Sequence, residues 1–325
     1  MLFSRRDFGR LAIMAWPAAS LVERPFAALA QTRKPNSVIG GVRIGTITYS
    51  YRSLPDQSAE ATLRYVVESG ISQIELMNGP AESFAGAPQG PRGGGDGRRG
   101  QPPTPEQQAA QRESAGRLKQ WRTSVSMDRF KQLRRMYNDA GVTIYAWKAL
   151  NPNMSDEELE YVFNVAEALG CTHTTLELPS DAAQLKRIGA FAEKRQIYAA
   201  YHTHLQGSMT AFDQAFAVSK ANMANVDFGH YVAGTGESPI PFLRKFHDRI
   251  ASAHLKDRQT PAHGAGNLPW GAGDTPLKEI LQLMKQEKYT FPASIEFEYD
   301  VPAESDAVKE VAKCLDYCKA ALAGT

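Results

Sequence analysis

The sequence predicts an α/β protein, a closed (β/α)8 TIM barrel. Eight short runs rich in β-branched and aromatic residues occur along the 325-residue chain, and each is followed by a stretch with helical apolar spacing. Most of the runs recur at roughly 25 to 40 residues, the length of a strand–helix–strand unit. Regular alternation favours a parallel sheet with right-handed crossovers, and eight units favour closure.

The predicted elements follow one another in a simple order. The strands are 42–49, 71–77, 142–147, 172–178, 197–202 and the runs that end at Asp227, His254 and Glu296. The helices are 58–69, 126–140, 155–170, 182–194, 210–221, 242–248, 276–286 and a closing helix 305–323. Ser155 and Glu158 form a capping-box pattern, and Gly70, Gly141 and Gly170 end their helices.

Two segments stand outside this alternation. Residues 86–105 are rich in glycine and proline and bury too little apolar surface to order themselves, so we predict a disordered loop after the second strand. A tolerated insertion is favoured there over a functional lid. Residues 1–30 combine Ser4-Arg5-Arg6-Asp7-Phe8, an apolar run over 11–22 and Ala28-Leu29-Ala30 before Gln31.

Residues 1–30 are typical of a twin-arginine signal peptide. A short N-terminal anchor helix is the alternative, although Pro17 interrupts the run. We therefore expect export to the periplasm, with one barrel domain over 31–325 and no stable membrane association after cleavage. The net charge of +2 with scattered basic residues gives no basis for nucleic-acid binding. The three cysteines, Cys171, Cys314 and Cys318, are expected to be buried thiols.

Four successive predicted strands finish in side chains that bind metals: His202, Asp227, His254 and Glu296. The carboxyl ends of parallel barrel strands meet at one mouth, so these residues are expected to converge. Two carboxylates and two imidazoles suit a divalent ion such as Mn, Mg, Co or Zn, with open positions for sugar oxygens. Taken singly, each residue is more simply a core or turn residue, and only the four together favour a metal site.

Several neighbouring residues are candidates for substrate contact or proton transfer. Glu75 and Glu177 end the second and fourth strands, where each is a general base or a plain salt-bridge partner. Lys256 shares a strand face with His254, as Glu298 does with Glu296. Aromatic residues that could stack on a sugar or pack in the core are Tyr49, Trp147 and Trp270.

Four motifs resemble those of one known family. Residues 201–204, 227–230, 254–257 and 295–298 read YHTH, DFGH, HLKD and IEFE. They are similar to the corresponding strands of sugar phosphate isomerase/epimerase-like proteins, the xylose-isomerase-like barrels, over about residues 42–320. The resemblance implies Asp227, His254 and Glu296 as metal ligands. His202 takes the place of a family glutamate, which puts a two-glutamate mechanism in question unless Glu177 or Glu298 replaces it.

The resemblance also implies a chemistry. We expect a metal-dependent sugar isomerase or epimerase that abstracts a proton α to a carbonyl, on a non-phosphorylated sugar or inositol. Glu177, Glu296 and His204 are the predicted catalytic residues. The predicted substrate contacts are Glu75, Trp147, His230, Lys256 and Glu298.

The alternatives are a 3-keto-glycoside lyase or hydrolase and a non-catalytic periplasmic sugar-binding protein. A multi-metal phosphodiesterase is disfavoured because the chain has seven histidines and is nearly neutral. The expected partner is a small carbohydrate, and the oligomeric state is left open, a homo-oligomer included.

Overall fold

The computed structural model describes residues 34–89 and 104–323. The predicted signal peptide and most of the predicted insert, residues 90–103, lie outside the described residues. Among the residues described, no helix is both long and apolar enough to cross a bilayer. Cys171, Cys314 and Cys318 are free and buried, as the sequence predicted.

The strands form the predicted barrel. Eight parallel strands make its wall: β2 (Val42–Ile47), β3 (Gln73–Met77), β4 (Thr143–Lys148), β5 (His173–Glu177), β6 (Tyr198–His202), β7 (Asn222–Asp227), β8 (Ile250–Leu255) and β11 (Ala293–Ile295). The ring closes because β2 pairs with both β3 and β11. The remaining short strands are β1 (Val38–Ile39), antiparallel to β2, and the pair β9 (Asp257–Arg258) and β10 (Asn267–Leu268).

The helices cover the outside of this wall. In chain order they are α1 (Ala59–Glu68), α2 (Asn78–Phe84), α3 (Pro105–Arg122), α4 (Asp128–Asp139), α5 (Asp156–Leu169), α6 (Ala182–Arg195), α7 (Asp213–Val218), α8 (Phe228–Thr235), α9 (Ile240–Phe246), α10 (Leu277–Gln286) and α11 (Ala307–Ala323). Their apolar faces pack on the outward side chains of the strands, as in most proteins with parallel sheets. Within residues 34–89 and 104–323 there are also three short 3-10 turns, at Thr48–Tyr51, His247–Arg249 and Pro261–His263.

Helices α2, α3 and α8 were not predicted. Helix α3 begins at the last residue of the expected insert, with Thr104 and Gln107 forming a capping box and Pro105 in the first turn. No residue of α3 is buried, so the apolar periodicity that revealed the predicted helices is missing. Its last residue, Arg122, fixes it to the barrel through two bonds to the Glu82 carboxylate, 2.8 and 3.2 Å long.

Strands β4 and β8 each carry one extra residue. In β8 it is Ala251, because Ala224 pairs with Ile250 but Asn225 pairs with Ser252. In β4 the extra residue exchanges the faces of two candidate site residues. Ile74 pairs with Ile144, but Glu75 pairs with Ala146, so β4 carries Tyr145 as an extra residue. Tyr145 lies inside the barrel, with ring centroids 5.7 Å from His173. Beyond the bulge the strand faces are exchanged, which turns Trp147 outward and Lys148 toward the mouth.

Candidate functional site

Four predicted ligands come together at the carboxyl ends of the strands. One donor atom each from His202, Asp227, His254 and Glu296 lies within 4.8 Å of the others, and all four side chains are buried. His202 and Asp227 are the last residues of β6 and β7, His254 is next to last in β8, and Glu296 follows β11. The geometry agrees with convergence of strand ends at one mouth.

Asp227 is held by the helix that it begins. Its Oδ1 accepts the backbone N–H of His230 at 2.7 Å, which makes Asp227 the N-cap of α8. Gly229 allows this helix to approach, because a Cβ there would lie 2.3 Å from the Lys256 side chain. The buried Oδ2 accepts no well-aligned hydrogen bond, although Lys256 Nζ lies 3.1 Å away. Asp227 therefore keeps one oxygen directed at the centre.

His254 lies between two carboxylates. Its Nε2 is 2.8 Å from Glu75 Oε2, and its Nδ1 is 2.9 Å from Glu296 Oε2. Burial alone would lower the imidazole pKa, but the charges of Glu296 and Glu75 raise it to about 10. Burial would raise the pKa of Glu75, yet His254 brings it down to about 2.

Lys256 holds three carboxylates around one ammonium group. Its Nζ lies 2.5, 2.8 and 3.1 Å from Glu298, Glu296 and Asp227. Burial opposes the charge, but Asp227 and Glu296 raise the Lys256 pKa. The pKa of Asp227 rises to about 6 because burial outweighs the attraction of Lys256. Neighbouring carboxylates therefore differ in acidity: the pKa of Asp227 is raised, whereas that of Glu75 is lowered.

The donor set fits a divalent cation. Two imidazoles and two carboxylates within 4.8 Å suit borderline and hard ions, and Asp227 Oδ2 is a buried acceptor without a well-aligned donor. The residues that would hold such an ion are His202, Asp227, His254 and Glu296.

A row of histidines leads from this centre to the rim. Donor atoms of His202, His204 and His230 also lie within 4.8 Å of one another. His230 Nδ1 is 2.6 Å from Arg258 Nη1, and burial followed by the charges of Lys256 and Arg258 lowers the His230 pKa to about 2. His204 is about half exposed and lies 3.5 Å from Glu177.

Glu177 lies at the rim of the mouth, about half exposed, with Lys148 Nζ 2.9 Å from its Oε1. Its strand, β5, is the fourth from β11 around the ring of eight, so Glu177 and Glu296 stand on opposite sides of the mouth. Glu298 is partly exposed beside Lys256. Tyr49 is exposed under the Arg52 guanidinium. Trp270, in the loop after β8, packs edge-on against Tyr317 of α11.

Two predicted substrate contacts lie away from the mouth. Glu75 is fully buried beneath His254, and its carboxylate is already bonded to His254, Thr175 and Asn225, so it cannot reach a substrate. Trp147 is fully buried on the outside of the strand, with ring centroids 6.3 Å from Phe130 and 5.8 Å from Tyr161. The bulge in β4 is the reason, because it reverses the face on which Trp147 lies.

Three residues of the site were missed in the sequence. Asn225 lies two residues before Asp227 on the same strand face, and alternation could have revealed it. Arg258 directly continues the HLKD motif and contacts His230. Lys148 gives no such signal, because only the bulge brings it to the mouth.

Comparison with known proteins agrees with this architecture. The family model described as xylose isomerase-like TIM barrel matches residues 115–318. An inosose dehydratase of Clostridium tetani is 27% identical over 157 residues, covering 42% of this chain and 52% of that protein. The chain therefore spans about half the length of the curated relatives it matches.

Solved structures share the fold at low sequence identity. A sugar phosphate isomerase/epimerase of Parabacteroides distasonis has a TM-score of 0.59 at 16% identity, covering 86% of this chain and 96% of that one. A xylose isomerase-like TIM barrel protein of Mycobacterium smegmatis in complex with magnesium has a TM-score of 0.53 at 16% identity, with the same coverages of 86% and 96%. The matched family model covers more than half of the sequence, and the chain belongs to the xylose isomerase-like TIM barrel family.

Proposed function

We propose that this protein is a metal-dependent isomerase or epimerase that removes a proton α to a carbonyl of a non-phosphorylated sugar or inositol. The observation that carries the proposal is the pairing of a four-donor buried centre with two carboxylates, Glu296 and Glu177, on opposite sides of the mouth. Epimerisation needs one group to take a proton from one face of a carbon and another to supply it on the opposite face.

His202, Asp227, His254 and Glu296 would hold the ion. When bound, a divalent ion polarises the carbonyl and an adjacent hydroxyl and stabilises the negative charge that develops on deprotonation. The magnesium complex of the Mycobacterium smegmatis protein supports a divalent ion in this fold. The two imidazoles suit Mn, Co or Zn as well.

The residues around the centre have separable roles. Glu177 takes or returns the proton, and its contacts with Lys148 and His204 hold the carboxylate at the rim, next to solvent. Glu296 acts from the opposite side. Lys256, within 3.1 Å of three carboxylates, contributes positive charge where the substrate oxygens would lie. His204 and His230 orient the sugar hydroxyls.

A neutral substrate agrees with the charges of the mouth. Across residues 34–89 and 104–323, its cationic side chains Lys148, Lys256 and Arg258 are each bonded to protein groups. A phosphate would have to compete with those partners. Sugars and inositols instead need the hydroxyl-binding groups that the histidine row supplies.

A lyase acting on a similar substrate is the second candidate. The observation in its favour is the 27% identical relative, which is named inosose dehydratase. Dehydration and 3-keto-glycoside cleavage begin with the same α-proton abstraction, and the bond to a β-oxygen then breaks. In that reaction Glu177 would protonate the leaving oxygen instead of the opposite face of the carbon.

Solvent isotope exchange tests these candidates. The chain from residue 31 is loaded with Mn²⁺ and incubated in D2O with keto-inositols, ketohexoses and 3-keto-glucosides, and NMR and mass spectrometry follow the products. A product that carries deuterium at the α-carbon and has lost no other atoms of the substrate supports the isomerase. A product lighter by one water, or by an alcohol, supports the lyase.

Variants connect the exchange to the site. Glu177→Gln should slow deuterium uptake by about 100-fold, in the usual range for loss of a general base. Glu287→Gln is the matched control, since Glu287 is also about half exposed and pairs with a cation, Arg244, away from the mouth. No exchange or elimination with any substrate, in protein that holds one metal per chain, would contradict the proposal and favour a sugar-binding protein.

We also propose that residues 1–30 direct export by the twin-arginine route, which carries folded proteins and would let the metal load first. Residues 1–30 fused to a reporter should be exported, and Arg5→Lys with Arg6→Lys should stop export. Export of the reporter after both changes would overturn this assignment.

A further inference from the structure

A layer of polar side chains lies inside the barrel directly beneath the candidate metal centre. We call it the floor, and it consists of Glu75, Thr175, Asn225 and Ser252. All four side chains are fully buried, and none reaches the mouth. Burying this many polar groups costs free energy unless they form hydrogen bonds with one another. The direction of each hydrogen bond in the floor therefore shows which atoms carry protons.

The first direction is set by Glu75. A carboxylate accepts hydrogen bonds and cannot donate them, so each of its three partners is a donor. Thr175 Oγ1 donates at 2.6 Å, Asn225 Nδ2 at 3.0 Å and His254 Nε2 at 2.8 Å. His254 therefore carries a proton on Nε2. The nitrogen left for an ion is Nδ1, which faces Glu296.

The second direction follows from the first. The amide nitrogen of Asn225 donates to Glu75 and to Ser252 Oγ, both at 3.0 Å, which fixes the orientation of the amide group. The amide oxygen then faces His202 Nδ1 at 3.3 Å. Since that oxygen only accepts, His202 carries its proton on Nδ1, and Nε2 is left for an ion.

We infer that Glu75, acting directly and through Asn225, is the positioning residue that fixes both metal-binding imidazoles in opposite tautomers. His254 binds the ion through Nδ1 and His202 binds it through Nε2. Carboxylates and carbonyls behind metal-bound histidines hold the ring and raise its basicity. In this barrel one buried carboxylate serves two histidines on different strands. The inference rests on the metal centre of the proposed function.

The tautomers can be read directly. Protein with ¹⁵N-labelled histidine is loaded with Zn²⁺, a diamagnetic ion, and long-range ¹H–¹⁵N correlation NMR identifies the protonated and coordinated nitrogen of each ring. We expect His254 with a protonated Nε2 and His202 with a protonated Nδ1. Coordination of both rings through the same nitrogen overturns the inference and leaves the proposed function standing. Protein that binds no zinc overturns both.

Affinity gives a second readout that does not depend on turnover. Glu75→Leu should weaken Zn²⁺ binding by about 10- to 100-fold, the usual cost of losing the group behind a metal-bound histidine. Asn225→Leu should weaken binding less and should change only the His202 signals. Glu75→Gln, which keeps the shape of the side chain, covers the case in which Glu75→Leu does not fold, and it should also weaken binding.

Glu310→Gln is the matched control, because this buried glutamate is bonded to Tyr299, Ser305 and Lys313 on the outside of the barrel. Its zinc affinity and histidine signals should equal those of the unmodified protein. Zinc affinity within about twofold of the unmodified protein in folded Glu75→Gln and Asn225→Leu would overturn the positioning role.

Discussion

Two buried clusters of charged side chains in this barrel differ in how completely their carboxylates are paired with cations. On the outside, the Arg122 guanidinium meets the Glu82 carboxylate through two bonds and lies 3.8 Å from Glu158. Tyr161 and Asn78 also donate to the Glu82 carboxylate. At the mouth and directly beneath it, the carboxylates of Asp227, Glu296, Glu298 and the deeper Glu75 share two cationic side chains, Lys256 and His254.

The difference separates an anchor from a binding site. In the outer cluster the fork of Arg122 matches the carboxylate, so nothing is left over to bind a ligand. In the mouth cluster the buried Asp227 Oδ2 lacks an aligned donor and negative charge is in excess. Buried ion clusters are costly in either case, and an incomplete one is evidence for a missing partner.

The largest expected effect is the loss of the metal from the mouth. His254→Ala and Asp227→Ala should each reduce the metal content from about one ion per chain to nearly none, and activity should fall with it by more than about 100-fold. Elemental analysis and the deuterium exchange assay measure the two effects. Full metal occupancy in both variants would refute the site.

The outer cluster should respond in stability alone. Arg122→Met leaves the Glu82 carboxylate buried with its cation removed, which should cost about 3–5 kcal/mol of unfolding free energy. Urea unfolding measures this cost, and metal content should not change. A second change, Glu82→Leu, should recover part of the loss. A fall in metal affinity in Arg122→Met would mean that the two clusters are not independent.

Lys256→Met should affect binding and turnover in opposite directions. Removal of the ammonium leaves Asp227, Glu296 and Glu298 without their nearest cation, so a divalent ion should bind roughly tenfold more tightly. Turnover should fall because positive charge near the substrate oxygens is lost. Calorimetry with Mn²⁺ measures the affinity, with Lys309→Met, on an exposed ion pair, as control. Weaker metal binding would contradict the assignment.

The smallest expected effect is the release of a proton when the metal binds. His254, whose pKa is raised from 6.5 to about 10, is protonated near pH 7.5 and must lose the Nδ1 proton to bind an ion. About one proton per ion should therefore be released, and affinity should rise with pH up to about 10. Calorimetry in buffers of different ionisation enthalpy counts it. Release of no proton would mean that His254 does not bind the ion.

The same raised pKa predicts how the metal-free protein responds to alkali. Protonated His254 contributes stability fully below pH 6.5, and this contribution is lost as pH rises through about 10.

The sequence predicted the barrel because strands and helices alternate with clear periodicity, and the boundaries agree within a few residues. Three helices were missed. Helices α2 and α8 are only seven and eight residues long and directly follow strands. Helix α3 buries no residue, so only its capping box over Thr104 and Gln107 could have revealed it. The convergence of His202, Asp227, His254 and Glu296 could be predicted because each lies at the carboxyl end of a strand. The extra residue of β8, Ala251, comes earlier in that strand and leaves His254 at its end.

The sequence pattern predicted neither how deep a side chain lies in the barrel nor where a strand contains an extra residue. The position of Glu75 beneath the centre could not be predicted, because its interaction with His254 joins residues 179 positions apart and no local sequence signal reports such a contact. Trp147 and Lys148 were misread or missed because one extra residue in β4 shifts the alternation after it. The bulge is visible only from the pairing with β3.

That extra residue bears on the construction of chimeras with other members of the family. Tyr145 makes β4 one residue longer than its neighbour requires, so every later side chain of the strand is out of step. Recombination with a relative that lacks the extra residue, at a junction inside β4, would move Lys148 into the helix layer and Trp147 into the mouth. Crossovers should therefore keep 143–148 together, and swapped segments should begin in the loop that follows.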